Sequence, residues 1–170
     1  MMDQSIINFA VYEDSVDYAG VAKVTLPDLT ALTQTISGAG VAGNIEAVVL
    51  GQFEAMTMTI NFRTINPHSV KLSEPRYHNI DLRVAQQVEN NVAGRLEVQP
   101  FKHVLVIIPK TDKGGTVAPA SQSDGSGEYS VHYWATYMDG KLVREVDPLN
   151  FKYVVNGVDY LADVRKALGK

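Results

Sequence analysis

Between Met56 and Arg63 the chain alternates strictly. Met56, Met58, Ile60 and Phe62 are apolar, while Thr57, Thr59, Asn61 and Arg63 are polar. A period of two puts one set on each face of a strand, so Met56, Met58, Ile60 and Phe62 are expected to face a core and the other four to face water. Ile80, Leu82 and Val84 alternate with Asp81 and Arg83 in the same way. From Glu128 to Met138 the chain carries Tyr129, Val131, Tyr133, Trp134 and Tyr137, which favour strands. By parity, Tyr129, Tyr133 and Tyr137 share one face and Trp134 takes the other. Asp139-Gly140 and Asn156-Gly157 each separate two strand-like runs and predict tight hairpins, because both turn positions want a positive φ. Val104 to Ile108 is uninterrupted apolar sequence and predicts a strand buried on both faces.

Helical signals are local. Asn66-Pro67 reads as an N-cap followed by proline at the first helical position, and Pro75 limits that helix to about two turns. Asp159 to Leu168 predicts a C-terminal helix: Asp159 can cap it, Leu161, Val164 and Leu168 share a face, and Gly169 can stop it. Two stretches lack either period and are expected to be extended loops. They are residues 37–51, rich in Gly and Ala, and residues 110–128, rich in Gly, Ser, Thr and Pro. The fold class that follows is mainly β with minor α (α+β). It is an antiparallel β-sandwich or barrel of a single domain, residues 1–170, with one short internal helix and one C-terminal helix.

Composition narrows the function. The 170 residues include 45% hydrophobic and 20% charged positions, enough to bury a core without staples. There is no cysteine, which removes disulfides, thiolate metal sites and cysteine nucleophiles. The net charge of −4 argues against gripping nucleic acid by its phosphates. Met1-Met2-Asp3-Gln4 has no basic n-region, so no signal peptide is expected. Val104–Ile108 is far below the ~20 apolar residues of a membrane helix, so no membrane insertion is expected.

Candidate chemistry fails on spacing. Gly38-Ala39-Gly40-Val41-Ala42-Gly43 fits GxGxxG, but a strand pattern follows it where a helix is needed, and residues 60–65 offer no acid for a ribose. His68, His78, His103 and His132 have no metal-binding spacing. Residues 124–135 start like a calcium loop, yet Tyr129 and Ala135 stand where glycine and glutamate are required. There is no GxSxG. No catalytic residue, cofactor or metal is expected. The aromatics at 129–137 leave one other class open, a small β-sandwich module that binds a carbohydrate or a protein.

Several segments resemble one family. They are Asp17-Tyr18-Ala19-Gly20-Val21-Ala22-Lys23-Val24-Thr25-Leu26-Pro27, Ser37-Gly38-Ala39-Gly40, and Glu54-Ala55-Met56-Thr57-Met58. Towards the end come Tyr137-Met138-Asp139-Gly140-Lys141, Asp147-Pro148-Leu149-Asn150-Phe151, Val155-Asn156-Gly157-Val158-Asp159 and Ala167-Leu168-Gly169. In order and spacing these resemble the major tail tube proteins of contractile-tailed bacteriophages and R-type tailocins.

The resemblance implies a structural subunit without enzymatic activity. It implies homo-hexameric rings, stacked into a tube with a continuous β-barrel lumen. Sheath, baseplate and tape-measure proteins are the implied partners. DNA would pass through the lumen without specific binding, and the particle would be a virion tail or tailocin assembled in the bacterial cytoplasm. About 24 strands at ~4.8 Å spacing and ~40° tilt close at a diameter near ~48 Å, wide enough for a duplex. On this reading the 37–51 segment, with Ser37, Gly38, Gly40, Gly43, Ile45, Val48, Val49 and Leu50, is the ring-stacking loop, and Thr57, Thr59, Asn61 and Arg63 face the lumen.

Overall fold

The computed structural model describes residues 1–18 and 20–170, so Ala19 of the 17–27 match lies outside the described residues. In chain order the strands are β1 (Met2–Glu13), β2 (Val16–Asp17), β3 (Val21–Thr25), β4 (Ala31–Ile36), β5 (Ile45–Phe53) and β6 (Met56–Phe62). Helix α1 (Pro67–Leu72) follows, then β7 (His78–Asn90), β8 (Arg95–Lys113), β9 (Ser126–Met138), β10 (Lys141–Asp147), β11 (Lys152–Val155), β12 (Val158–Asp159) and α2 (Ala162–Ala167).

Strand β9 organises the main sheet of ten strands, which runs β12-β11-β10-β9-β8-β7-β1-β2. One edge of β9 pairs with β8 along most of its length. The other edge is shared end to end: residues 126–131 pair with β6, which in turn carries β3, and residues 134–138 pair with β10. All these pairings are antiparallel. The Asp139-Gly140 turn joins β9 to β10 as the dipeptide predicts, with φ of 49° and 77°. Asn156-Gly157 does the same between β11 and β12, with φ of 51° and 80°.

The sharing of β9 requires a change of phase. Across β8–β9 the register steps from Val106↔Tyr133 to Ile107↔Val131, which leaves His132 as an extra residue. Such a bulge swaps the faces of everything beyond it. Tyr129 and Val131 are therefore buried on the same side as Trp134, and Tyr133 and Tyr137 are only half-buried. This corrects the parity reading that set Trp134 opposite Tyr129. Burial pushes the Tyr133 hydroxyl up to about 12.

The core is one cluster drawn from β1, β6, β7, β8, β9, β10 and α1, including Val11, Ile80, Leu82, Leu105, Ile107, Trp134 and Leu72. Met56, Met58, Ile60 and Phe62 are buried within it. Fully burying one such side chain contributes roughly 1.5–3 kcal/mol. In β8 only Leu105 and Ile107 are buried, while Val104, Val106 and Ile108 are half-buried. The run 104–108 is thus fully buried on one face, not two, because the described residues cover its other side only in part.

Helix α1 has the expected cap. The Asn66 side chain accepts from the Ser69 N–H at 2.9 Å, and the Asn66 N–H donates to Ser69 Oγ at 3.1 Å. Helix α2 is shorter than expected and begins after Leu161, which gives no side-chain cap. Asp159 does not cap it because the residue lies in β12, paired with Val154 of β11, and its carboxylate accepts from Arg165 and from the Leu161 N–H.

Both expected loops are shorter too. Ile45, Val48, Val49 and Leu50 lie in β5, which pairs with β4, so only residues 37–44 form a loop. Residues 110–113 and 126–128 extend β8 and β9, leaving a connection at 114–125. In both places cross-strand hydrogen bonding overrides a composition rich in loop-forming residues.

Met58 is fully buried, and Thr59 is half-buried on the opposite face. Met58→Asp places an unpaired charge in the core and should destabilise the domain by more than about 3 kcal/mol, enough to lose the folded circular dichroism signal. Thr59→Asp should melt within a few degrees of the parent. A collapse of Thr59→Asp with retention of Met58→Asp would show the faces reversed.

Candidate assembly surfaces

The polar face of β6 continues onto its neighbours. Thr57, Thr59 and Asn61 pair with Ser130, Glu128 and Ser126 on one side, and Thr59 and Asn61 pair with Thr25 and Lys23 on the other. Thr57, Thr59 and Asn61 are half-buried there. Arg63 is exposed and lies past the end of the strand, where its N–H donates to the Gly20 carbonyl at 2.9 Å. This wall is rich in hydroxyls and amides and suits contact with water.

Two long features lack a strand partner among the described residues. The first is a sheet edge. β2 pairs with β1 only at Tyr12 and Glu13, and no strand among the described residues pairs with that edge from Met2 to Ala10. Irregular register at Gln4 and Ile7 breaks the flatness of this edge, a usual means of blunting one. Met2, Ile6 and Ile7 are exposed along it.

The second is the β4–β5 ribbon, a sheet of two strands hydrogen-bonded to no other among the described residues. Thr33 faces Val48, Thr35 faces Glu46, and Ile36 faces Ile45. Leu32, Ile36, Ile45, Val48, Val49 and Leu50 are all exposed, Val48 by 67%. Its root is held: Phe53 meets the Tyr153 ring edge-on at 4.9 Å. Gly51, at φ 64°, lies so close to Leu161 that an added Cβ would come within 2.4 Å of it. A lone two-stranded ribbon is marginal in water. This one also exposes apolar side chains from both faces, as interaction surfaces do.

Of the residues named for ring stacking, Ser37, Gly38, Gly40 and Gly43 fall in the 37–44 tip, and Ile45, Val48, Val49 and Leu50 in β5. The structure therefore brings them together on one projecting hairpin. What composition hid was that the apolar half is a strand.

A buried ionic knot secures the platform beside the open edge. Glu13 and His78 are both fully buried. Glu13 accepts from the Tyr18 hydroxyl, from Arg76 Nη2 at 3.1 Å and from His78 Nδ1 at 2.6 Å. His78 Nε2 donates to the Glu74 carbonyl at 3.0 Å, and Tyr18 stacks on His68 at 4.7 Å. Burial pushes the Glu13 carboxyl up, but the bonds from Tyr18 and His78 and the nearby charges outweigh it and hold the group below its ordinary value. Burial and the adjoining Glu13 raise the Tyr18 hydroxyl.

These groups join the end of β1 to Tyr18, just after β2, and to the entry of β7. Their polar groups are engaged with one another and with the Glu74 carbonyl. Sequence reasoning missed it because Glu13 and His78 are 65 positions apart and meet only through the β1–β7 pairing.

Three comparisons frame this geometry. A family model described as "Phage tail tube protein FII" matches residues 3–169. Among solved structures, the fold is similar to a chain of the sheath–tube complex of an extracellular contractile injection system, PVC, in the extended state. The TM-score is 0.48, with 12% identity over 77% of this chain and 88% of that one. It is also similar to a chain of the PVC sheath/tube terminator (TM-score 0.44, 13% identity, 81% and 92% covered). A chain of the anti-feeding prophage (AFP) baseplate gives a TM-score of 0.41, with 10% identity and 78% and 91% covered. A search of curated proteins found no match.

Removing the Glu13 carboxylate strands three donors. Glu13→Ala should cost roughly 3–5 kcal/mol in chemical denaturation at neutral pH. Because the folded-state value of Glu13 is depressed, its contribution is present above the ordinary carboxyl value of 4.5 and fades as pH falls through the lower folded value. The gap between parent and variant should therefore narrow below pH 4.5. A gap that is constant or widens on acidification would contradict an ionised Glu13.

Proposed function

The chain belongs to the phage tail tube protein FII family, and from that premise we propose how it builds a tube. It is a structural component of a phage or tailocin tail. Six copies close a ring, rings stack into the inner tube of a contractile tail, and the strands of successive copies form one barrel around the lumen. The β1 edge and the β4–β5 ribbon are where copies join. Ser37 to Gly51 reaches the adjacent ring, and the wall of Thr57, Thr59 and Asn61, with Arg63 at its end, faces the lumen.

Sheath and baseplate proteins contact the outside and the base of the tube, and a tape-measure protein sets its length. The subunits polymerise in the bacterial cytoplasm. The protein performs no catalysis. DNA passes without being held, as suits a chain of net charge −4 whose proposed wall is mostly uncharged.

The observation that carries this reading is the β4–β5 ribbon, which exposes apolar side chains and pairs with no other strand among the described residues. Folded alone it gains little; laid against another copy it buries that surface. The alternative, a monomeric β-sandwich module that binds a carbohydrate or protein, finds no support in the family match.

Negative-stain microscopy of concentrated protein should show rings or tubes. Deleting residues 38–51 should abolish them and leave the circular dichroism of the main sheet in place. Long tubes formed by the deleted chain would remove the ribbon from the interface. A monodisperse monomer that saturates with a glycan would favour the alternative.

A further inference from the structure

The outward face of the main sheet carries an open groove of about 710 Å³ across β1, β7, β8 and the β9–β10 turn. Its walls are largely apolar, with Ala10, Ala85, Val98 and Pro100 among them, and two cations stand in it, Arg83 and Lys102. Both lean on a single carboxylate: Asp81 Oδ2 is 3.9 Å from Arg83 and 3.4 Å from Lys102. The remaining cover comes from tyrosines, with Arg83 over the Tyr12 ring at 5.0 Å and Lys102 6.0 Å from the Tyr137 ring. The groove therefore presents apolar walls and one unbalanced positive charge. Arg83 and Lys102 remain substantially exposed, so that charge is available to a partner.

The β4–β5 hairpin has the complementary character. From Val24 to Phe62 the chain contains Asp28, Glu46 and Glu54 and no lysine or arginine. Glu46 is exposed near the hairpin tip, where its carboxylate accepts from the Thr33 hydroxyl at 2.8 Å. Around it lie Ile36, Ile45 and Val48, exposed and apolar.

We propose that this groove is the docking site for the β4–β5 hairpin of a neighbouring copy, with Glu46 of the hairpin meeting the Arg83/Lys102 pair. The proposal rests on the tube reading and adds to it the receiving surface. Apolar contact supplies the affinity, and the charge pair sets the register and disfavours misplaced copies. Every subunit carries one hairpin and one groove, so the contact is head-to-tail and propagates.

The test is a charge exchange read by assembly. Glu46→Lys and Lys102→Glu should each keep the parent circular dichroism and raise the protein concentration needed for tube formation about tenfold or more, since each sets like charges face to face. Lys102→Gln, which adds no repulsion, should give a smaller rise. The double variant Glu46→Lys/Lys102→Glu should regain most of the lost assembly, since each copy then offers both reversed partners. Single variants that assemble like the parent, or a double variant as defective as the singles, would overturn the docking site and leave the tube reading standing. A parent chain that forms no ring or tube at any concentration would overturn both.

Discussion

Every strand edge displays backbone N–H and C=O groups that must find partners in protein or in water, and a long flat edge invites another strand. Among the described residues, two places leave that requirement open over long stretches. The outer edge of β1 is unpaired from Met2 to Ala10, and the β4–β5 ribbon stands apart from the main sheet. The rest of the structure makes sense as a platform that holds those two unfinished elements in position. A tube built of identical copies turns the liability into the means of construction, because closing a ring removes its edges.

The platform is stiff where it must be. β9 accommodates β6 and β10 on one edge only because His132 bulges and returns Trp134 to the core face. The Glu13–His78–Arg76–Tyr18 knot fixes the end of β1 against the start of β7, next to the open outer edge of β1. Gly51 and Phe53 do the same for the ribbon by packing its root against Leu161 and Tyr153. In each case the rigid contact lies next to the exposed one, as preorganisation of an interface would require.

What could be read from the chain was local. The alternation through β6, the Asp139-Gly140 and Asn156-Gly157 turns and the Asn66-Pro67 cap each depend on neighbours within a few residues, and all have counterparts in the structure. What was hidden was long-range. Ile45 to Phe53 carries no period because both its faces are exposed in the free chain, so nothing forces alternation, yet pairing with β4 makes it a strand. The bulge at His132 overturns a parity count that is correct up to Val131. Asp159 has the chemistry of a cap, but pairing with β11 and the reach of Arg165 claim it first. The ionic knot unites residues that no spacing rule connects. Similarity over residues 3–169 placed the chain in the phage tail tube protein FII family, which no single segment does.

Amide hydrogen exchange on the free subunit and on the assembled particle tests the central claim most directly. If the ribbon and the β1 edge are completed by other copies, amides of residues 31–36, 45–53 and the unpaired side of residues 2–10 should exchange fast in the free subunit. They should slow by orders of magnitude on assembly, while the β6 and β9 core is protected in both. Equal protection of those segments in the two states would mean that the chain satisfies its own edges, and the account would be contradicted.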